Sequence, residues 1–182
     1  MQTYQKIFQD AILNPKNVND KSYQWYLEQL KTLSKPNITA RKIVGSDVLS
    51  TAKLIQVGEM YLYEYDPKHK DTLPIWDKFP LVFPFRAMND GFIGLNMHYL
   101  PYPARIQLLD ALMRHRTTLG LSERTRLSLS WNTIQAVAKA KLAGPCVHRY
   151  LRSHIMSPIK KIDARNWETA LMLPIQKFIE KR

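Results

Sequence analysis

The side chains with the clearest chemical meaning in this sequence are the cations of its C-terminal half. Residues 102–182 carry 15 Lys and Arg against 5 Asp and Glu, whereas residues 1–101 carry 12 against 10, and the formal net charge of the chain is +12. Lys and Arg neutralise phosphates and release counterions, so we expect this half to bind a polyanion, most commonly nucleic acid. An acidic protein partner or a merely solvated surface would explain the same charge. The candidate contacts are Arg114, Arg116, Arg124, Arg126, Lys139, Arg149, Arg152, Lys160, Lys161 and Arg165.

Aromatic residues accompany these cations at Trp131, Tyr150 and Trp167. Aromatic rings can stack on unpaired bases, but in folded proteins they more often anchor the core, and we expect the latter here. Cations two residues apart on a helix point in different directions. Only a subset of the candidates can therefore share one face.

A cluster of carboxylates in the first half could serve a different chemistry. A nuclease that uses divalent metal needs two or three carboxylates around one ion, often with a lysine. The sequence offers them at Glu64, Asp66, Asp71 and Asp77, next to Lys68 and Lys70. A hydrophilic loop explains most of them equally well, because Asp66 directly precedes Pro67 and is a good turn former. A nuclease using Glu64, Asp66 and Asp71 is kept as an alternative.

Other reactive residue types have no partners at suitable spacing. Cys146, His148 and His154 match no common zinc pattern, and no third group is placed to orient a Cys–His nucleophile. We expect Cys146 to be a small buried hydrophobe and His98, at a strand end, to be a structural residue. The sequence therefore predicts no metal, no cofactor and no catalytic residue, and hence no enzyme.

The composition is that of a globular protein, with 45% hydrophobic and 23% charged residues. The apolar runs are too short to cross a bilayer, so no membrane is expected as a partner, and the N-terminus has no secretory signal pattern. A single cysteine excludes an internal disulfide and fits synthesis in a cytosol.

Residues Met60–Pro103 have the alternating pattern and the frequent turn residues of a β meander. Met60–Tyr65 predicts a strand covered on both faces, and Pro74–Phe79 predicts a loop. Leu81–Phe85 predicts a short strand in which Pro84 favours an edge position or a bulge. Asn89-Asp90-Gly91 predicts a hairpin turn before a return strand at Phe92–Met97.

Helical periodicity surrounds this meander. Pro103 suits the first turn of a helix whose buried stripe is Ile106, Leu109, Leu112 and Met113. Further helices are predicted over residues 4–12, Lys21–Leu33 and Ser130–Leu142, around Val147–Ile155 and at Pro174–Arg182, and strands at Ile159–Ile162 and Thr169–Leu173. The predicted class is α+β, with an SH3-sized β-barrel or a strongly bent antiparallel sheet and flanking helices. The predicted division is an N-terminal helical arm over 1–50 and a core domain over 51–182.

The chain from about Gln56 to Pro174 resembles a family of small virion-associated proteins of tailed bacteriophages, chiefly T-even-like and cyanophage types. Residues 1–50 lie outside the resemblance. It is carried by ordered blocks at Val57–Leu81, Asp90–Leu112, Gly144–Ile159 and Asn166–Phe178.

Members of this family are often labelled DNA end protector proteins or virion structural proteins. The resemblance implies a late, non-enzymatic virion protein made in the host cytoplasm, present in multiple copies in a symmetric assembly with other phage virion proteins. It would bind double-stranded DNA at the genome end or inside the particle without sequence preference, or complete the head–neck. Alternatives are an architectural neck, tail or baseplate component that contacts acidic virion proteins, and a head-completion nuclease.

Overall fold

A computed structural model of the chain describes residues 39–47, 49–117, 119–120, 122–139, 141–172 and 175–180. The helices predicted over residues 4–12 and Lys21–Leu33 lie outside these ranges. Most of the predicted 1–50 arm does too, so the division at residue 50 stays a prediction. Within the arm, the described part contains one short helix, α1, at Ala40–Gly45, which begins where the Thr39 side chain accepts a hydrogen bond from the Lys42 amide.

The centre of the molecule is an antiparallel sheet of five strands. In chain order the strands of the whole described structure are β1 (Met60–Leu62), β2 (Ile75–Asp77), β3 (Leu81–Met88), β4 (Gly91–Asn96), β5 (Val147–Leu151), β6 (Lys160–Ile162) and β7 (Phe178–Glu180). The spatial order of the large sheet is β5-β4-β3-β1-β6, and β2 pairs with β7 in a separate two-stranded sheet. The described strands form an open sheet and no closed barrel.

The register places two different sets of side chains on the two faces of the large sheet. One face carries Phe83 opposite Leu95 and Leu95 opposite Val147, and the other carries Phe92 opposite Tyr150. We call the first the helix-covered face, because its aliphatic cluster continues into the helices, and the second the tyrosine face. β1 is buried on both sides, as predicted from its two apolar sets.

Helices α2 (Tyr102–Thr117), α3 (Glu123–Ala138) and α4 (Trp167–Met172) contribute to the aliphatic cluster of the helix-covered face. Pro103 lies in the first turn of α2, and Ser122 caps α3 by accepting from the Thr125 amide. Short 3-10 turns lie at Met97–Tyr99, Lys141–Cys146, Arg152–His154 and Ala164–Asn166.

The predicted strand at Leu81–Phe85 forms and continues to Met88, but Pro84 does not lie at an edge. β3 has neighbours on both sides, and the register shifts between Pro84 and Arg86, so the bulge is confirmed and the edge position is wrong. The backbone carbonyls at the bulge still accept hydrogen bonds: that of Pro84 from the Gly58 amide and that of Phe85 from the Trp131 indole. The predicted hairpin at Asn89-Asp90-Gly91 is confirmed.

Four predicted elements are wrong. Pro74–Phe79 was expected to be a loop and contains strand β2; Val147–Ile155 was expected to be helical and begins with strand β5. Thr169–Leu173 was expected to be a strand, and its described part belongs to helix α4; Pro174–Arg182 was expected to be helical and contains strand β7. Each new strand exists because a distant segment pairs with it, which local periodicity does not encode.

Candidate nucleic-acid interface

The tyrosine face is built around rings in edge-to-face and tilted contacts. Tyr150 on β5 lies with its ring centroid 5.0 Å from Tyr65, 5.6 Å from Tyr63 and 5.4 Å from Phe92. Burial is the main reason that the pKa values of Tyr63 and Tyr150 lie well above the usual range of a phenol. The phenols in this cluster therefore stay neutral at physiological pH and do not repel a phosphate.

The aromatic cluster continues outward towards β7. Tyr99 lies 4.6 Å from the ring of His148 and 5.0 Å from the ring of Phe178, and His148 lies 6.2 Å from Tyr150. The pKa of Tyr99 is raised to about 12, chiefly by burial. A continuous wall of rings thus runs from the interior of the tyrosine face to its surface.

This wall borders an open cleft of about 400 Å³. Its lining comes from the loop after Pro67, from β2, from the end of β4 and from the edge strand β5. Trp76 and Leu73 add apolar surface, and Lys68, His69 and Arg149 add cationic or titratable groups. The volume lies within the roughly 300–1,000 Å³ typical of small-ligand sites.

The floor of the cleft is fixed by the carboxylate of Asp77, at the end of β2. One oxygen, Oδ1, accepts from the Phe79 amide at 3.1 Å and from the Lys177 amide at 3.3 Å. The other, Oδ2, accepts from Asn96 Nδ2 at 3.2 Å and lies 2.6 Å from His98 Nδ1. Burial alone would raise the pKa of Asp77, but the bonds and charge of His98, with the Asn96 and Phe79 bonds, lower it below its usual value.

Arg105 secures the segment behind this floor. Its guanidinium is buried and donates to the carbonyl oxygens of His98 at 2.7 Å, Leu100 at 2.8 Å and Leu171 at 3.4 Å, while it stacks on Tyr102 at 4.5 Å. His98 is therefore the structural residue that the sequence predicted, held through its ring by Asp77 and through its carbonyl by Arg105.

His148 differs from His98 in what its ring contacts. It lines the cleft and has a backbone hydrogen bond to Pro145 in place of a carboxylate, and its Nε2, like that of His98, has no hydrogen-bond partner within the described part of the chain. Burial lowers the pKa of His148 below its usual value, so the ring is neutral at physiological pH. With the Nδ1 proton on the Pro145 carbonyl, Nε2 is left as a hydrogen-bond acceptor.

The cationic rim combines both halves of the chain. Lys68 and His69 are exposed on the loop after Pro67, and Arg149 Nη2 donates to both carboxylate oxygens of Asp90, at 2.7 and 2.8 Å. The pKa of Asp90 is lowered first by the Arg149 hydrogen bonds. Because both partners of the pair are about half exposed, its contribution to stability is small.

The structure places the predicted cationic contacts in different environments. The side chains of Arg114, Arg124, Lys139, Arg149 and Arg152 are exposed, and those of Arg126 and Lys161 are half-buried. Lys161 lies 3.5 Å from Glu59. The side chains of Arg116 and Arg165 lie outside the described structure.

Lys160 is the clear exception among these candidates, because it is only 4% exposed. Its ammonium donates to the Leu49 carbonyl at 3.4 Å and to the Thr51 hydroxyl at 3.2 Å. These bonds tie the segment after α1 to the edge strand β6. In this conformation Lys160 holds the fold together and does not offer its charge to a ligand.

The aromatic predictions are confirmed for Tyr150 and Trp167, which are buried. Trp131 is half-buried, with its indole bonded to Phe85. Cys146 is buried, and burial raises its pKa to about 12, in agreement with its predicted role as a small hydrophobe.

Two of the three carboxylates of the nuclease alternative, Glu64 and Asp66, are engaged with cations. Glu64 pairs with Lys78 at 3.1 Å and with Arg41 at 3.8 Å, and Asp66 pairs with Lys70 at 2.9 Å. Among the described residues, no group of three or more His, Cys, Asp or Glu side chains is arranged to hold a metal ion.

Sequence reasoning missed Trp76, Lys68 and His69 as members of the site. Their strand and loop were interpreted as a hydrophilic turn and a self-packed loop. The available signal was the dense run of aromatic and basic residues between Tyr65 and Trp76, which lacks helical spacing and has the composition of a stacking surface.

None of the helices in the described ranges combines the length and apolarity needed to cross a membrane. A family model described as phage T4 terminal DNA protecting protein matches residues 2–182. The match includes residues 2–50, which the resemblance seen in the sequence had left outside. No curated protein and no solved structure gives a significant match.

Proposed function

Since this chain belongs to the phage T4 terminal DNA protecting protein family, we propose that it binds the ends of phage DNA without sequence preference and without catalysing a reaction. The observation that carries the proposal is the family match over residues 2–182. A protecting protein must occupy a DNA end long enough to exclude a nuclease, which requires affinity for the phosphate backbone.

The charge of the chain supports such affinity. The net charge is +12, and Arg124, Lys139 and Arg152 are exposed and form no ion pair within the described structure. Exposed cations without acidic partners attract phosphates at long range and release counterions on contact. Contacts of this kind are insensitive to base sequence.

The absence of catalysis is part of the proposal. It is supported by the ion pairs that occupy Glu64 and Asp66, two of the three carboxylates that the nuclease alternative would use. Incubation of linear DNA with the protein and Mg²⁺ or Mn²⁺ tests it. We expect intact DNA; cleavage that Asp66→Asn abolishes would make the protein a nuclease.

In the particle, we propose that the protein acts as a virion component beside other phage proteins, in several symmetric copies. One observation favours a protein-contacting role. Leu54 is 73% exposed, and a shallow apolar hollow formed by Val57, Leu127 and Trp131 lies on the surface. A purely architectural neck, tail or baseplate component would use such a surface and have no DNA affinity.

Salt dependence separates the two roles. If six to ten phosphates are contacted, DNA affinity falls by about 10³–10⁵ between 50 and 200 mM salt. Fluorescence anisotropy with linear duplexes of unrelated sequence measures this directly. We expect a steep salt slope that does not depend on sequence. Undetectable binding at 50 mM salt would reject DNA binding and support the architectural role.

A further inference from the structure

We propose that the cleft on the tyrosine face takes up one unpaired nucleobase from the terminus of the bound DNA. The proposal rests on the proposed function and assigns a particular site to it. The cleft supplies what a splayed base requires, namely aromatic surface for stacking, polar groups for the base edge and cations for the adjoining phosphate.

The aromatic requirement is met on the inner wall of the cleft. Tyr99 and His148 are in tilted contact, with ring centroids 4.6 Å apart and an interplanar angle of 41°, and Trp76 lines the same cleft from β2. A base that enters between this pair and Trp76 would extend an existing series of rings. Stacking of this kind tolerates every base, which agrees with a protein that has no sequence preference.

The polar requirement is met by His148, whose Nε2 is buried and has no hydrogen-bond partner within the described part of the chain. A buried acceptor without a donor is unfavourable. Nε2 is closed to solvent in the free protein, so the proposal includes a turn of the His148 ring towards the cleft, after which an exocyclic amino group or ring N–H of a base satisfies it. Asp77 and Asn96, by contrast, are bonded to each other and to the backbone. They shape the floor without needing a ligand.

The phosphate requirement is met at the rim. Lys68 and His69 stand exposed on the loop after Pro67, and Arg149 reaches the cleft from the edge strand β5. A phosphate there would compete with Asp90 for the guanidinium of Arg149, whose donors suit either anion. A continuous duplex offers no free base to this geometry, so the cleft distinguishes an end from the interior of DNA.

The first test uses wild-type full-length protein and needs no variant. A duplex carries 2-aminopurine either at its terminal position or at an internal position, and the other end is closed by a hairpin loop. We expect fluorescence quenching on binding at the terminal position and none at the internal one. Equal responses at the two positions, with binding intact, would overturn the proposed cleft while leaving end protection standing.

The second test uses Trp76→Ala, with Trp76→Phe as the conservative variant and Arg124→Ala as the matched surface control. The readout is the affinity for an open-ended duplex divided by that for a duplex closed by hairpin loops at both ends. We expect Trp76→Ala to lose about tenfold of this preference, Trp76→Phe to retain most of it, and Arg124→Ala to weaken both ligands equally.

A preference unchanged in Trp76→Ala would overturn the assignment of the cleft. If the wild-type protein itself shows no preference for open ends, both the proposed function and the assignment of the cleft fail. Should Trp76→Ala lose its circular dichroism signal, the 2-aminopurine result decides the matter.

Discussion

The two faces of the large sheet differ in how open they are to a ligand. On the helix-covered side, the guanidinium of Arg105 satisfies three carbonyl oxygens in the interior. On the tyrosine face, the hydroxyl of Tyr63 and Nε2 of His148 are buried and have no partner within the described residues. One side is covered by helices, although Gln107 Oε1 on α2 and Ser130 Oγ on α3 also lack a partner among the described residues, and the other opens into a cleft. The difference is one of access, and it is the reason that the proposed base-binding site lies on the tyrosine face.

The largest effect should come from opening the network on the helix-covered side. Arg105→Met leaves the carbonyls of His98, Leu100 and Leu171 without their donor. Each orphaned buried acceptor costs about 1–3 kcal/mol, so we expect the free energy of unfolding to fall by about 3–5 kcal/mol. Chemical denaturation measures it, and the exposed Arg124→Met should change it by less than about 0.5 kcal/mol. Equal effects of the two substitutions would contradict the comparison.

The next effect concerns Asp77, which lies at the boundary between the two regions. Its carboxylate accepts hydrogen bonds from Phe79, Asn96 and Lys177 and lies against the ring of His98. Asp77→Asn replaces one acceptor with a donor, and we expect a loss of about 2–4 kcal/mol. The exposed Asp71→Asn is the control, with little change expected.

The same carboxylate predicts a pH dependence. Because the pKa of Asp77 is lower in the folded protein than in the unfolded chain, its stabilisation is present above the unfolded pKa of about 4. It is lost as the pH falls through the lower folded value. Unfolding curves between pH 6 and pH 2 should therefore show a steeper loss for the wild type than for Asp77→Asn. Parallel curves would show that Asp77 is not the group responsible.

A smaller and more selective effect is expected within the tyrosine face. Among the described residues the hydroxyl of Tyr63 has no partner, whereas that of Tyr65 accepts from the Leu151 amide at 3.1 Å and that of Tyr61 from the Gln56 amide at 2.8 Å. Tyr63→Phe should raise the free energy of unfolding by up to about 1 kcal/mol, and Tyr65→Phe and Tyr61→Phe should each lower it by about 1 kcal/mol. If Tyr63→Phe is the most destabilising of the three, its hydroxyl has an essential partner and the comparison fails.

The smallest effect on stability should come from the exposed cations. Arg124→Ala and Arg152→Ala should change the free energy of unfolding by less than about 0.5 kcal/mol, yet each that contacts a phosphate should lower the salt slope of DNA binding by about 1. Lys160→Met should instead lower the free energy of unfolding and leave the salt slope unchanged, because the Lys160 ammonium is buried against Leu49 and Thr51. If the Lys160→Met protein is as stable as the wild type and has a reduced salt slope, Lys160 contacts DNA after all.

Alternation in the sequence was sufficient to predict the centre of the fold. The alternating apolar residues of β1 predict a strand buried on both faces, and the turn residues between β3 and β4 predict their hairpin. The helical spacing of apolar residues in α2 predicts the side that packs on the core. These elements are local: their pattern and their turn residues agree over a few neighbouring positions.

The errors fall where a distant partner decides the structure. Val147, Tyr150 and Leu151 have helical spacing, yet they form β5 because β4 presents an edge to them. β7 exists through its pairing with β2, whose own segment was expected to be a loop. The cleft combines these two misassigned regions, so its aromatic wall could not be assembled from sequence, although its basic and aromatic residue types were visible there.

The most direct test of the central claim is exonuclease protection of linear duplexes that differ in length but present the same concentration of ends. If the protein occupies ends, the amount needed for half-maximal protection should follow the concentration of ends and stay constant as the duplex lengthens. A requirement that grows in proportion to total base pairs would show coating of the whole duplex and would contradict the account.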